Sequence, residues 1–307
     1  MPASSKSASK AAGARPGLGP GRDLIPRLNA TMACDTAFRI VARRSLGEMT
    51  ANHAATCTGE PAALHEMRIA VTRLRAAISF FSPMVADASQ TRIRKELKWL
   101  DRRLGAVRDL DVAIGRLRAA NKQPPSFYRP WDQKRANDSR ALARALRSVK
   151  YCRLIKSTTD WIESGPWSAQ NGKQAARKRA MPIAAYGPRK LTRLQKTLLK
   201  KGRSLRKMGP LERHRLRLLN KQVCYSIEAF KDLTANKEFS GQQVALKLLR
   251  KAQEALGQLN DERNGRALAV ALGPGGAEMP LLFYSGKREK RLIRTTAAAY
   301  RKLAALV

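Results

Sequence analysis

The chain has 307 residues and a mass of 34.0 kDa, and 43% of its residues are hydrophobic, enough to bury a sizeable core. Lys and Arg number 61 against 23 Asp and Glu, for a formal net charge of +38 and a pI of about 11.2. These figures exclude a disordered basic tail as the whole protein, and they call for a polyanionic partner, because self-repulsion on that scale opposes a compact state. Nucleic acid, an anionic membrane surface and polyphosphate all satisfy that demand.

Residues 1 to about 27 are rich in Ala, Ser, Gly, Pro, Lys and Arg, with no acid before Asp23 and too little apolar content to fold. They read as a solvated basic tail. The segment lacks the apolar run of a secretory signal and the apolar stripe of an amphipathic transit peptide. No apolar stretch in the chain approaches the roughly 20 residues that span a bilayer, so no membrane association and a cytoplasmic location are expected. Cys34, Cys57, Cys152 and Cys224 are scattered, without a C-x-x-C pair or a histidine at zinc-ligand spacing. They suggest reduced thiols, with neither disulfides nor a metal site.

Beyond the tail, apolar residues recur with a period near 3.6 and alternating β-branched runs are nearly absent, which predicts an all-α fold. Helices are expected over 31–52, over 61–82 stopped by Pro83, and over 89 to about 121. A further pair covers about 132–164 and ends before Gly165-Pro166. Ser164 to Leu211 contains no acid and many cations, and reads as a flexible joint over about 165–190 followed by a basic helix. Helices then run over about 188–207, 211–233, 242–270 and 287–306, with Gly273-Pro274-Gly275-Gly276 as the loop before the last. The folded domain would span 28–306, its first half about 28–164 and its second about 191–306, with about four helices in each.

An internal repeat supports that division. Leu64-His65-Glu66-Met67-Arg68 is followed by Gly105 in LGAVRDLDV, and Arg213-His214-Arg215-Leu216-Arg217 is followed by Gly257 in LGQLNDERN. Each copy places His-x-x-Arg early in one helix and Leu-Gly-x-x-x-Asp well into the next.

The repeated helices carry the candidate chemistry. At about 100° per residue, His65, Arg68, Thr72, Arg75 and Ser79 share a stripe beside an apolar face of Leu64, Met67, Val71, Leu74, Ile78 and Phe81. His214, Arg217, Lys221, Cys224, Tyr225 and Glu228 occupy the same arc of the second copy. A single such stripe is more often a solvated helix face, but two with equal spacing favour donors set at intervals along a chain of phosphates. Arg92, Lys95, Lys98, Arg102 and Arg103 add a basic face on the following helix, answered weakly in the second half by Arg250. Asp109 and Asp261 read as partners that hold basic side chains in place, ahead of catalytic or metal-ligand roles.

HEMRIAVTRLRAAISFF, LKWLDRRLGAVRDLDV, HRLRLLNKQVCYSIEAF and ALGQLNDE resemble the CHAD family of histidine-containing α-helical domains, over about residues 31–306. The resemblance implies two pseudo-symmetric four-helix bundles with a basic groove or cavity between them that binds inorganic polyphosphate. On that likeness His65, Arg68, Arg73 and Arg75 match the first motif, and His214, Arg217 and Lys221 the second. Thr72 and Cys224 stand where the family often has basic residues.

Catalysis is not expected. There is no Glu-x-Glu-x-Lys pattern of a triphosphate tunnel domain and no G-x-x-x-x-G-K-[ST] loop, and the acids are too dispersed to gather Mg²⁺. No cofactor is implied. Nonspecific nucleic-acid binding is the alternative, since counterion release favours it on any surface this basic. Aromatic residues make up only 6% of the chain, and no interleaved stacking platform accompanies the charge. The expected mechanism is charge-assisted hydrogen bonding from Arg and Lys of both halves, with the two histidines protonating near the polyanion.

Overall fold

A computed structural model describes residues 26–120, 124–170, 172–272, 283 and 285–307. The tail up to residue 25 and the Gly273–Gly276 loop lie outside the described residues. Among the described residues the chain is all-helical, and the sole β feature is an isolated bridge between Ala33 and Pro182.

The first part carries α1 (Cys34–Ala51), a short α2 (His53–Cys57), α3 (Pro61–Val85), α4 (Ala88–Ala120), α5 (Pro125–Leu146) and α6 (Val149–Ser164). Pro61 opens α3 at a position where its missing N–H costs nothing. Pro83 does not stop that helix as the sequence suggests; the helix continues to Val85, because a proline in the last turn disrupts few hydrogen bonds. The pair expected over 132–164 begins earlier, at Pro125, and divides at Ser148, whose hydroxyl caps α6 by accepting from the Tyr151 amide at 3.3 Å.

The second part carries α7 (Lys173–Ala180), α8 (Ile183–Gly202), α9 (Pro210–Glu228), α10 (Gln242–Leu272) and α11 (Gly286–Ala304). The helix expected over 211–233 ends at Glu228 and gives way to a 3-10 turn at Lys231–Leu233. The helix expected from 188 begins at Ile183 and admits Pro188 near its start.

The described residues of the expected joint, 165–170 and 172–190, carry a 3-10 turn, α7 and the start of α8. Trp167 is fully buried and meets Phe38 edge-on at 5.4 Å, while its indole N–H donates to the Trp161 carbonyl at 2.8 Å. α7 packs on α1 and α3. The backbone then pairs with the start of the first part: Cys34 N–H donates to Met181 O at 2.9 Å, and Ile183 and Ala184 N–H donate to Met32 and Ala30 carbonyls at 2.8 and 3.1 Å.

A single large core runs through both parts, from Phe38, Phe80 and Phe81 to Phe230 and Phe239. A smaller cluster around Trp131, Ile114, Leu117 and Phe283 joins the far ends of α4 and α10. Within this frame α3 packs on α4, α9 on α10, α3 on α9 and α4 on α10. The four helices bearing the repeated motifs therefore meet one another directly.

Candidate functional site

The junction of α3, α4, α9 and α10 gathers Arg68, Arg217 and Lys221 with Asp109 and Asp261. Each histidine is influenced by the residue three positions beyond the glycine of its own motif. His65 feels the charge of Arg108, and His214 Nδ1 lies 2.6 Å from the side-chain oxygen of Asn260. Gly105 lies beneath Arg68, and a Cβ there would sit 3.9 Å from the guanidinium, in ordinary contact.

Arg217 is 9% exposed, so its guanidinium is largely stripped of water, and its pKa is lowered by burial and then by Arg68. The Lys221 ammonium falls to about 7, first through burial, then through Arg217 and Arg68. Asp101 and Asp261 oppose that shift without overcoming it. Lys221 also lies 5.9 Å from the Tyr225 ring centroid. His65 is held below the usual imidazole range by burial first and by Arg108 next.

The carboxylates here are supports. Asp109 accepts from the Asn264 amide at 2.9 Å, linking α4 to α10, and Asp261 pairs with Arg116 at 3.4 Å in the opposite sense. Burial raises the pKa of Asp109 against the pull of Arg68 and Arg217. Arg68, Arg217 and Lys221 make no ion pair within 4 Å of a described carboxylate. Arg217 Nε, Arg213 Nε and His65 Nδ1 are buried with no hydrogen-bond partner. A buried guanidinium N–H such as that of Arg217 is costly to leave unmade, and an anion arriving at this junction would satisfy it.

Other candidate residues are placed differently. Arg75 is engaged by Asp101 of α4. Arg73 turns toward α1 and α9, pairing with Glu48 at 2.9 Å and Glu228 at 3.7 Å, and Arg250 also pairs with Glu228 at 2.9 Å. Arg73 and Arg250 thus line a separate cavity of about 260 Å³ floored by Phe230 and Phe239. Arg92, Lys95, Lys98, Arg102 and Arg103 are exposed on α4. Arg103 lies over the Trp99 ring at 5.3 Å and Lys150 of α6 lies 4.4 Å from the same ring, and Arg102 donates to the Lys98 carbonyl at 3.4 Å.

Sequence reasoning did not single out Arg108, whose field reaches His65, nor the desolvation that sets Lys221 apart from other lysines. The position of Arg108 between Gly105 and Asp109 was the available signal. Among the described residues there is no cluster of three or more His, Cys, Asp or Glu able to hold a metal ion, and no helix long and apolar enough to cross a membrane.

Comparison with known proteins gives three findings. A family model described as the CHAD domain matches residues 40–269. The crystal structure of the CHAD domain from the plant Ricinus communis superposes with a TM-score of 0.67 at 24% identity, covering 94% of this chain and 96% of that one. PptA from Streptomyces chartreusis superposes with a TM-score of 0.59 at 13% identity, covering 90% of this chain and 99% of that one. At these identities the two superpositions show the fold alone. No curated protein matches the chain.

Proposed function

The chain belongs to the CHAD domain family, and from that premise we propose that it is a non-catalytic binding protein for inorganic polyphosphate. The ligand would lie along the junction of α3, α4, α9 and α10, with the halves 28–164 and 191–306 each contributing one His-x-x-Arg motif. Arg68, Arg217 and Lys221 would donate to successive phosphate oxygens, and the exposed cations of α4 would extend the path. The reading extends to association with polyphosphate granules in the cytoplasm.

One observation carries it. Cations from both motifs converge at a single place, partly stripped of water, with Arg217 Nε left unmet and Asp109 and Asp261 within their field. A merely solvated basic face has no reason to bury Arg217 beside Arg68, because each raises the cost of the other's charge. A polyanion repays that cost and a neutral ligand does not.

The test is polyphosphate binding by the full chain, followed by fluorescence anisotropy at physiological salt. Reversing charge at Arg68 and Arg217 together should weaken binding by at least tenfold, whereas the same reversal at Lys6 and Lys10 of the tail should change it less than twofold. Equal losses would reduce the effect to net charge and remove the junction from the mechanism.

A further inference from the structure

The strongest unassigned feature lies outside the junction, on α8. At about 100° per residue Arg189, Arg193, Lys196, Lys200 and Arg203 fall along one line of this helix and its C-terminal cap, and all five are exposed. Ile183, Gly187, Leu191, Gln195 and Leu198 form the buried seam on the opposite side. The cations therefore point straight away from the core.

Some exposed cations elsewhere are matched by acids, as Arg118 is with Asp132, Lys134 with Asp138 and Lys156 with Asp160. Here none is, because the chain from Ser164 to Leu211 contains no Asp or Glu and no neighbouring element brings a described carboxylate within ion-pair distance. Like charge dominates its surroundings; Lys190 at the edge of the stripe is lowered by burial and then by Arg193 and Lys178. Placing five unmatched charges on one line at a spacing near a helical turn, about 5.4 Å, costs stability unless an extended anion lies along them.

The shape narrows the partner. The five cations lie on the exposed face of a helix whose buried seam is turned the other way, so a flexible bare phosphate chain would gain donors from one side only. A membrane surface would also want insertable apolar groups, and those of α8 are turned inward. Single-stranded nucleic acid needs a stacking platform, but Tyr186, the aromatic residue of this helix, donates its hydroxyl to the Phe80 carbonyl and packs edge-on against Phe80 at 5.7 Å. A helix about 10–12 Å across, supported from behind and cationic in front, fits against the roughly 12 Å major groove of B-form DNA and its flanking phosphates.

We propose that the outer stripe of α8 is a docking surface for the phosphate backbone of duplex DNA, separate from the anion site at the junction of the repeated helices. Contact is to phosphates, which positions the protein on the duplex without carrying sequence information.

The experiment compares the full chain with two triple variants, Arg193→Gln/Lys196→Gln/Lys200→Gln on the stripe and Arg144→Gln/Arg147→Gln/Arg153→Gln at exposed positions of the first part. Gln keeps helix propensity, and circular dichroism and thermal melting confirm folding of each. Binding is measured to a 20-bp random-sequence duplex, to its single strand and to polyphosphate, across a salt series. The stripe variant should lose at least tenfold for the duplex and flatten its salt slope by about 2.7, the loss of three phosphate contacts. Its polyphosphate affinity should stay within twofold, and the control variant should keep both. An unchanged duplex affinity, an equal loss in the control, or an equal loss for polyphosphate or the single strand would overturn the assignment. Loss of polyphosphate binding on reversing Arg68 and Arg217 reports on the junction alone, so the two readings stand or fall separately.

Discussion

Arg68 and Arg217, the arginines of two separate His-x-x-Arg motifs, come together in the field of one shared carboxylate, Asp109. Asp109 also accepts from Asn264 at 2.9 Å, so one side chain balances both cations and ties α4 to α10. Replacing Asp109 with Ala should destabilise the free protein by about 1–3 kcal/mol, read from the denaturant midpoint. Polyphosphate affinity should hold or rise, because the cations remain and their competitor is gone. Asp109→Asn should lose less, since its amide oxygen still accepts from Asn264. Loss of binding in both variants would mark Asp109 as necessary for the site.

Acidification should strengthen polyphosphate binding, and Lys221 should account for most of it. Its ammonium titrates near pH 7 in the free protein, and a bound polyanion favours the charged form, so binding takes up a proton above that pH. Affinity should fall on the order of tenfold between pH 6.5 and 8.5, and Lys221→Met should flatten that dependence. His65 titrates lower, so His65→Gln should leave the segment above pH 7 intact. A flat wild-type profile would remove proton linkage from the site.

The same lysine sets a stability trend. The unfolded chain holds a lysine proton until about pH 10.4, whereas the folded protein releases it near 7. Between those values the unfolded state binds more protons, so stability rises with pH across that window. Melting temperature should therefore climb from pH 7 to 9 in the free protein and climb less when polyphosphate is saturating. Lys221→Met should abolish the difference.

Trp167→Ala should cost about 3–5 kcal/mol, because the ring is fully buried against Phe38 and under the guanidinium of Arg39 at 4.9 Å. A melting point within a degree or two of wild type would show that residues 165–190 contribute little to the fold.

Periodicity carried the fold a long way. α4 spans Ala88–Ala120 where the pattern suggested 89 to about 121, and the all-helical class follows from the same signal. Pro83 misled at the end of α3: like Pro130 in α5 and Pro188 in α8 it sits inside its helix near a terminus, where few backbone bonds are disrupted. The order of 165–190 was hidden because it depends on Phe38, Asp87 and Met32, all distant in sequence. In the site, spacing predicted which residues share a helix face but not how deeply each is buried or which acid meets it. Arg73 is drawn aside by Glu48 and Glu228, and Lys221 loses its water to burial; both are consequences of how helices pack.

The backbone pairing of residues 30–34 with 181–184 works as a clasp between the beginnings of the two parts. That clasp and the packing of Trp167 against Phe38 tie the start of the second part to the first, so a polyanion bound as proposed would meet a junction already assembled. On the proposed reading the speed of capture would be governed by how far the protein's field reaches through the surrounding salt, about 8 Å at physiological ionic strength.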